Sequence, residues 1–401
     1  MRKKNVLLVI RKGQPELDWI TPVLFSIKSK INLFIFFSSK GIKKKIEYNQ
    51  NFLILKKFSK KIFYLNKYYN LGWRTFFTVI RNIKLNKSVF LSDFLYKRIH
   101  NIKKLKKEIN IVGKIDIIFA EYGNNSSWLK AFSEFDEKPL IFNYPSSPLT
   151  FFQRKGIEFY KKKLICDYVF LISKNDFKYW SKSIDKSKMI SIGNPSYDRW
   201  WVNKINQNNK ISFAKNTKRI LFAYNSDFGL IPKDKEKILE NDLDLFMRIF
   251  TSTKKFNSSK LIFKIHPFRN NPRYLKILKK YDKKFWEIRN ESLSLLSQKV
   301  DVVVSSFDSS AFLDGLYSKK PSIEFFRNYY NGTTFPKISL HQMIKISVTM
   351  NKKNIKTLLD KALFKSNSKF WLKQKINFDK VYRINRNSTK KACKLILNLK
   401  K

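Results

Sequence analysis

The sequence predicts an α/β protein of two doubly wound, Rossmann-like halves facing each other across a cleft, with a helical segment closing the chain. Three observations predict it. Short apolar runs recur, each followed by a small polar cluster and then by residues at helical spacing, the order strand, loop, helix, strand. The pattern starts twice, at Asn5–Ile10 and again at Arg219–Tyr224, on either side of a polar interval rich in Lys and Asn. The 401 residues suffice for two cores of ordinary size.

Taken in order, Asn5–Ile10 is the first strand, and RKGQPELDW is a loop that carries Glu16 and Asp18. A helix from about Trp19 to Ser29 and a strand Ile31–Phe37 complete a βαβ unit. In such sheets ligands bind beyond the carboxyl ends of the strands, so Glu16 and Asp18 are candidates for a general base. The plainer role for Asp18 is to cap the helix beginning at Trp19. Between Gly41 and Lys107 the chain is dense in Lys, Arg, Phe and Tyr, and Phe90–Ile109 has helical spacing. A basic face with aromatics suits an anionic membrane surface; a solvated helix face is the alternative, and His100 in this run is read as structural.

Strands follow at Ile115–Ala120, ending at Glu121 and Asn124, and at Leu140–Phe142, ending at Tyr144 and Ser146. These four polar residues are read as the acceptor side of the crevice. Tyr168–Ser173 and Ile190–Ile192 are further strands. The first domain is expected to span 1–202, with a linker over 203–218 and a second domain over 219–375. The final segment, 376–401, is expected to pack back on the first domain. In the second half, Arg219–Tyr224 runs into Asn225 and Ser226. Leu261–Ile265, whose one charge is Lys264, stops at His266-Pro267. Val300–Val304 stops at Ser305-Ser306, and Ser309-Ser310 open a helix whose free N–H groups suit a phosphate. Ser322–Phe326 is the next strand. The plain reading of these clusters is a turn at His-Pro and a helix cap at Ser-Ser.

Composition narrows the partners. There are 83 Lys and Arg against 30 Asp and Glu, a net charge of +53. Such a surplus favours polyanions, whether nucleic acid, anionic lipid or phosphorylated sugars. It is spread over the whole length, together with Asn, Ile and Phe, all residues with AT-rich codons. It is therefore discounted as a sign of nucleic-acid binding, and no zinc-ligand spacing or RNP-like run accompanies it. Two cysteines, Cys166 and Cys393, form neither a disulfide framework nor a four-ligand metal site. The first apolar run is too short for a signal peptide, and no run approaches about 18 apolar residues. A cytoplasmic protein, at most peripheral on the inner face of a membrane, is the expectation. Asp242 and Asp244 have the spacing of a metal-binding DxD motif but fall inside a predicted helix, so no metal and no cofactor are expected.

Several segments resemble known proteins. Lys264-Ile265-His266-Pro267, Asp301 to Ser306, Ser309-Ser310 and Lys320 to Glu324 resemble the C-terminal half of CDP-glycerol glycerophosphotransferases and of polysialyltransferase-type capsule enzymes, which share the GT-B architecture. Cys166 to Tyr168 and Ile192 to Asp198 resemble the end of the N-terminal domain in such surface-polysaccharide proteins. Gly13–Pro22 is similar to the first loop of Kdo transferases, where an acid acts as base. Kdo transferases and UDP-N-acetylglucosamine 2-epimerase share the broad layout. The resemblance implies a nucleotide-sugar donor and a glycan or lipid-linked acceptor. It gives His266 to the donor's phosphate or nucleotide, Ser309 and Ser310 to the phosphates at the helix start, and Glu324 to the ribose; Arg269 is a nearby cation for the departing phosphate. The Gly-rich phosphate loop of many GT-B enzymes is missing, and Asn225-Ser226 stand near where it would be. A 2-epimerase and a non-catalytic polyanion-binding protein are the alternatives.

Overall fold

The computed structural model describes residues 2–11, 13–38, 42, 46–47, 49–64, 105, 107–109, 113–122, 129, 132, 137–145, 165–173, 176–181, 184–208, 213, 216–224, 233–265, 272–306, 309–325, 339–382 and 387–399. Seven described strands form the first sheet: β1 (Lys4–Ile10), β2 (Ile31–Phe37), β3 (Ser59–Tyr64), β4 (Ile117–Glu121), β5 (Leu140–Tyr144), β6 (Tyr168–Leu171) and β7 (Met189–Ser191). Six form the second: β8 (Lys218–Tyr224), β9 (Ser259–Ile265), β10 (Trp286–Ile288), β11 (Val302–Ser306), β12 (Ser322–Phe325) and β13 (Thr349–Met350). The longer helices are α1 (Gln14–Ser26), α2 (Gln50–Phe58), α3 (Arg199–Asn208), α4 (Lys233–Ser252), α5 (Pro272–Leu278), α6 (Leu293–Lys299), α7 (Ala311–Tyr317), α8 (Ile355–Phe364), α9 (Lys369–Tyr382) and α10 (Ser388–Asn398).

The strand orders are β3-β2-β1-β4-β5-β6-β7 and β10-β9-β8-β11-β12-β13. Every pairing is parallel. Parallel strands are covered on both faces, which is why β1, β2 and β4 read as unbroken apolar runs rather than alternating ones. Both orders reverse direction at a single place, between β1 and β4 in the first sheet and between β8 and β11 in the second. Such switch points open a crevice beyond the carboxyl ends of the strands.

Two elements depart from the sequence expectation. The helix after β1 begins at Gln14, not Trp19, so Glu16 and Asp18 stand in its first turns rather than in a loop. A proline is tolerated there because the N–H it lacks has no helical partner at that position. Gly13, at φ 98°, makes the turn before it. The edge strand β3, SKKIFY, lies in the basic, aromatic stretch 41–107, where no strand is expected from the sequence. Its lysines suit an edge strand, where charge discourages pairing with another chain.

The two halves share a core. One apolar cluster contains Val6, Leu8 and Phe170 of the first sheet together with Phe312, Leu316, Phe378, Tyr382, Ala392 and Ile396. Helix α10 is fixed to the first half at both ends. The Asp198 carboxylate accepts from the backbone N–H groups of Ser388 (3.1 Å) and Thr389 (2.6 Å). The Lys4 ammonium donates to the carbonyls of Ile396 (3.0 Å), Leu397 (3.3 Å) and Leu399 (3.1 Å). An anion at the amino end and a cation at the carboxyl end both complement the helix dipole. Burial pushes the Asp198 carboxyl up, and the bonds from Thr389 and Ser388 oppose it.

Helix α7 lies hard against the second sheet at Gly315. A Cβ there would strike the Ser322 hydroxyl and come within 2.8 Å of Val303 Cβ. Val303 is fixed in β11, so the helix would have to move. Gly315→Ala is expected to lower stability by about 1–3 kcal/mol, the usual range for overpacking. A urea midpoint equal to that of the parent would show that the contact yields.

Candidate functional site

The site is built from the carboxyl ends of the strands beside the two switch points. In the first half, β1 leads through Arg11 and Gly13 into α1. The Glu16 carboxylate is fully buried and accepts from the N–H groups of Arg11 (3.0 Å) and Gly13 (2.9 Å). It therefore braces the turn that starts α1. Asp18, two residues on, is half-buried and accepts from Asn51 Nδ2 at 2.6 Å, while its carbonyl accepts from the Ser196 hydroxyl at 2.6 Å. Its carboxylate acts electrostatically on Lys264 and Asp314, both in the second half. Of the two candidate acids, Asp18 is the one whose charge is felt across the junction.

Lys264 and Asp314 belong to the second half, Tyr197 and Asp176 to the first. Lys264, near the end of β9, is buried and donates to the Asn290 carbonyl at 3.0 Å. Burial brings its ammonium down to about 8, with Asp18 and Glu291 pulling the other way. Asp314 on α7 accepts a hydrogen bond from the Tyr197 hydroxyl, which joins the end of the first half to the second. The Tyr197 ring stacks on Tyr317 with centroids 4.5 Å apart. Burial pushes the Asp314 carboxyl up to about 7; the Tyr197 bond lowers it and Asp18 raises it further. Asp176, buried with its carboxylate accepting from Ser173 N–H, is likewise raised by burial to about 7.

These two carboxyls predict a pH dependence. Each takes up its proton more readily folded than unfolded, so the stabilisation is full below the unfolded value near 3.8 and is lost as pH rises through about 7. Between about pH 8 and about pH 5.5, Asp314 alone should add about 2 kcal/mol. Melting curves of Asp314→Asn should show a smaller rise on acidification than the parent. Equal rises would assign the effect elsewhere.

The remaining sequence candidates divide. Ser305 and Ser306 end β11, and the Ser305 hydroxyl is buried with no hydrogen-bond partner among the described residues. At the start of α7 the N–H groups expected to be free for a phosphate are largely engaged. Ser309 N–H goes to Ser306 O (3.1 Å), Ala311 N–H to Ser309 Oγ (3.3 Å) and Phe312 N–H to Ser309 O (3.1 Å). Ser310 is the N-cap residue and is half-buried. Glu121 and Tyr144 end the adjacent strands β4 and β5 but are fully buried. Tyr144 stacks on Trp19, and burial first, then Glu16 and Glu121, pushes its hydroxyl well up.

Glu324, which the resemblance gives to a ribose, has its partners within the second half. It is fully buried, and its carboxylate accepts from Ser339 Oγ at 2.7 Å and from Ser347 Oγ, and pairs with His341 Nδ1 at 2.7 Å. Burial raises this carboxyl, yet His341 and the two serines outweigh it and hold it below the usual range. Asp242 and Asp244 lie on helix α4, where Asp242 pairs with Lys352 and Asp244 with Arg248 and Lys280. His266, Pro267, Arg269, Asn225, Ser226, Asn124 and Ser146 lie outside the described residues, as do His100 and most of 90–109.

Lys264, Asp314 and Tyr197 were not among the sequence candidates. Two of them carried a signal. Lys264 is the one charge in the apolar run Leu261–Ile265, and Asp314 interrupts the apolar helix AFLDGLY.

No family model matches the chain, and no curated protein sequence matches it. Solved structures do. The UDP complex of MnaA from S. aureus is 11% identical, with a TM-score of 0.59 over 99% of this chain and 98% of that one. UDP-N-acetylglucosamine 2-epimerase from Rickettsia bellii is 13% identical, with a TM-score of 0.57 over 99% and 96%. A variant of the wall teichoic acid polymerase TagF is 10% identical, with a TM-score of 0.58 over 98% and 88%. At these identities the likeness is one of fold. Among the described residues no helix is long and apolar enough to cross a membrane. Two parallel α/β halves, each wound about one switch point and joined where their strand ends meet, give this chain the GT-B fold.

Proposed function

We propose that the protein transfers a sugar or glycerophosphate-type unit from a nucleotide-activated donor to a cell-surface glycan or lipid-linked acceptor. The observation that carries this reading is the half-buried Asp18 carboxylate beside the first switch point, whose charge acts on Lys264 and Asp314 of the second half. The Asp18 backbone carbonyl holds Ser196, next to the Tyr197 that bonds Asp314. Transfer needs a base to take the proton from the acceptor hydroxyl as its oxygen attacks. It also needs fixed positive charge where the nucleotide phosphate departs. Asp18 is assigned the first role. Lys264, with His266 and Arg269 that follow it in the chain, is assigned the second. The fold is shared with a UDP complex and with a polymerase of wall teichoic acid, which supports the substrate class.

A thermal-shift screen with CMP, CDP, UDP and GDP tests the donor side. A nucleotide at about 100 times its Kd stabilises the folded state by about 2.7 kcal/mol, enough for a clear rise in Tm. His266→Ala should remove that rise. If no nucleotide shifts the parent and His266→Ala melts like it, donor binding here is wrong.

One observation favours a second reading, nucleotide-sugar 2-epimerisation. Glu16, Glu121 and Tyr144 gather at the ends of β1, β4 and β5, and both carboxylates act on the Tyr144 hydroxyl. An epimerase would convert UDP-N-acetylglucosamine with no acceptor present, whereas the transferase requires one.

A further inference from the structure

We infer that the outer face of α9, together with the end of α8, docks on an anionic phospholipid surface. Of five exposed large hydrophobic residues among the described part of the chain, four fall here: Phe364 (39% exposed), Phe370 (43%), Leu372 (48%) and Ile376 (53%). The inner face of α9 is committed elsewhere. Trp371, Gln374, Phe378 and Tyr382 are buried, and Gln374 Nε2 donates to the carbonyls of Ser322 (2.7 Å) and Ile346 (3.0 Å). The opposite face is Lys369, Leu372, Lys373, Ile376 and Lys380, at intervals of three and four residues, and all five are exposed. A helix that faced only water would carry polar residues at 372 and 376.

Charge selects the occupant. From Lys361 to Lys380 there are six lysines and one acid, Asp379. Lys361 lies over the Phe370 ring at 5.7 Å, and Lys255 over the Phe364 ring at 4.7 Å, so the ammonium groups rim the apolar side chains. Two copies of such a face would repel each other. A nucleic acid would meet the lysines and leave Leu372 and Ile376 in water. An anionic bilayer satisfies both, since apolar side chains sink below the headgroups while lysines reach the lipid phosphates. The face points away from the junction that Phe378 and Tyr382 fill, so the inference stands whatever reaction the cleft performs.

The test is co-sedimentation of the full chain with vesicles of phosphatidylcholine alone and of phosphatidylcholine with about one third phosphatidylglycerol, near physiological salt. The parent should pellet with the anionic vesicles and remain in solution with the neutral ones. Leu372→Ser with Ile376→Ser should weaken pelleting about tenfold or more, and Lys369→Glu with Lys373→Glu should do the same, with Tm unchanged in both. Sedimentation velocity and a duplex DNA shift assay run on the same proteins. Pelleting of the serine variant equal to the parent, or equal pelleting with both vesicle types, overturns the inference. So does a parent dimer that the serine variant dissociates, or DNA binding that replaces vesicle binding.

Discussion

Asp18→Asn should lower kcat by about 10²–10⁴-fold, the usual contribution of a general base, with little change in Tm. The amide is nearly isosteric and keeps an oxygen for the bond from Asn51 Nδ2, so the local packing survives. What it loses is the ability to accept a proton. Glu16→Gln should behave the other way. Its carboxylate gathers the N–H groups of Arg11 and Gly13 in a fully buried turn, so the charge change should lower Tm while leaving a measurable rate. Steady-state rates and melting curves of both variants separate catalyst from brace. A turnover of Asp18→Asn within about threefold of the parent would remove Asp18 from the chemistry.

The second large effect is expected at Glu324. Glu324→Ala leaves His341 and the hydroxyls of Ser339 and Ser347 facing an empty site, and breaking a buried pair of this kind costs about 3–5 kcal/mol. His341 is also stacked on Phe312, with centroids 4.5 Å apart, so loss of the carboxylate loosens the start of α7. Chemical unfolding should show a reduced midpoint, whereas any nucleotide that binds the parent should still bind the folded variant at low temperature. A variant with the parent's midpoint but no nucleotide affinity would return Glu324 to the donor site.

The strands were readable because parallel strands buried on both faces become unbroken apolar runs, as in Val6–Ile10 and Val302–Val304. The strand ends beside which the site is proposed were readable because a small polar cluster follows each apolar run, although such clusters also make turns and caps. The start of α1 was misread because Pro15 looks like a helix stop, although at a first turn it marks a beginning. Strand β3 was hidden by lysines, which obey the demands of an edge rather than of a core. The roles of Glu324 and Asp314 depend on partners distant in sequence. Glu324 meets Ser339, His341 and Ser347, and Asp314 meets Tyr197. No local spacing encodes those meetings. The same residue type, a carboxylate, braces a turn at Glu16 and accepts a bond from the other half at Asp314.

Helix α10 has a consequence for synthesis. Ala392 and Ile396 fill the core built on β1 and α1, and Asp198 and Lys4 wait for a segment made nearly two hundred and nearly four hundred residues later. The first lobe emerging from a ribosome must therefore stay unfinished until the second has been made. Contacts so distant along the chain slow the search for the native state. During that interval a greasy slot on the nascent lobe is open, and chaperones or premature self-association will compete for it.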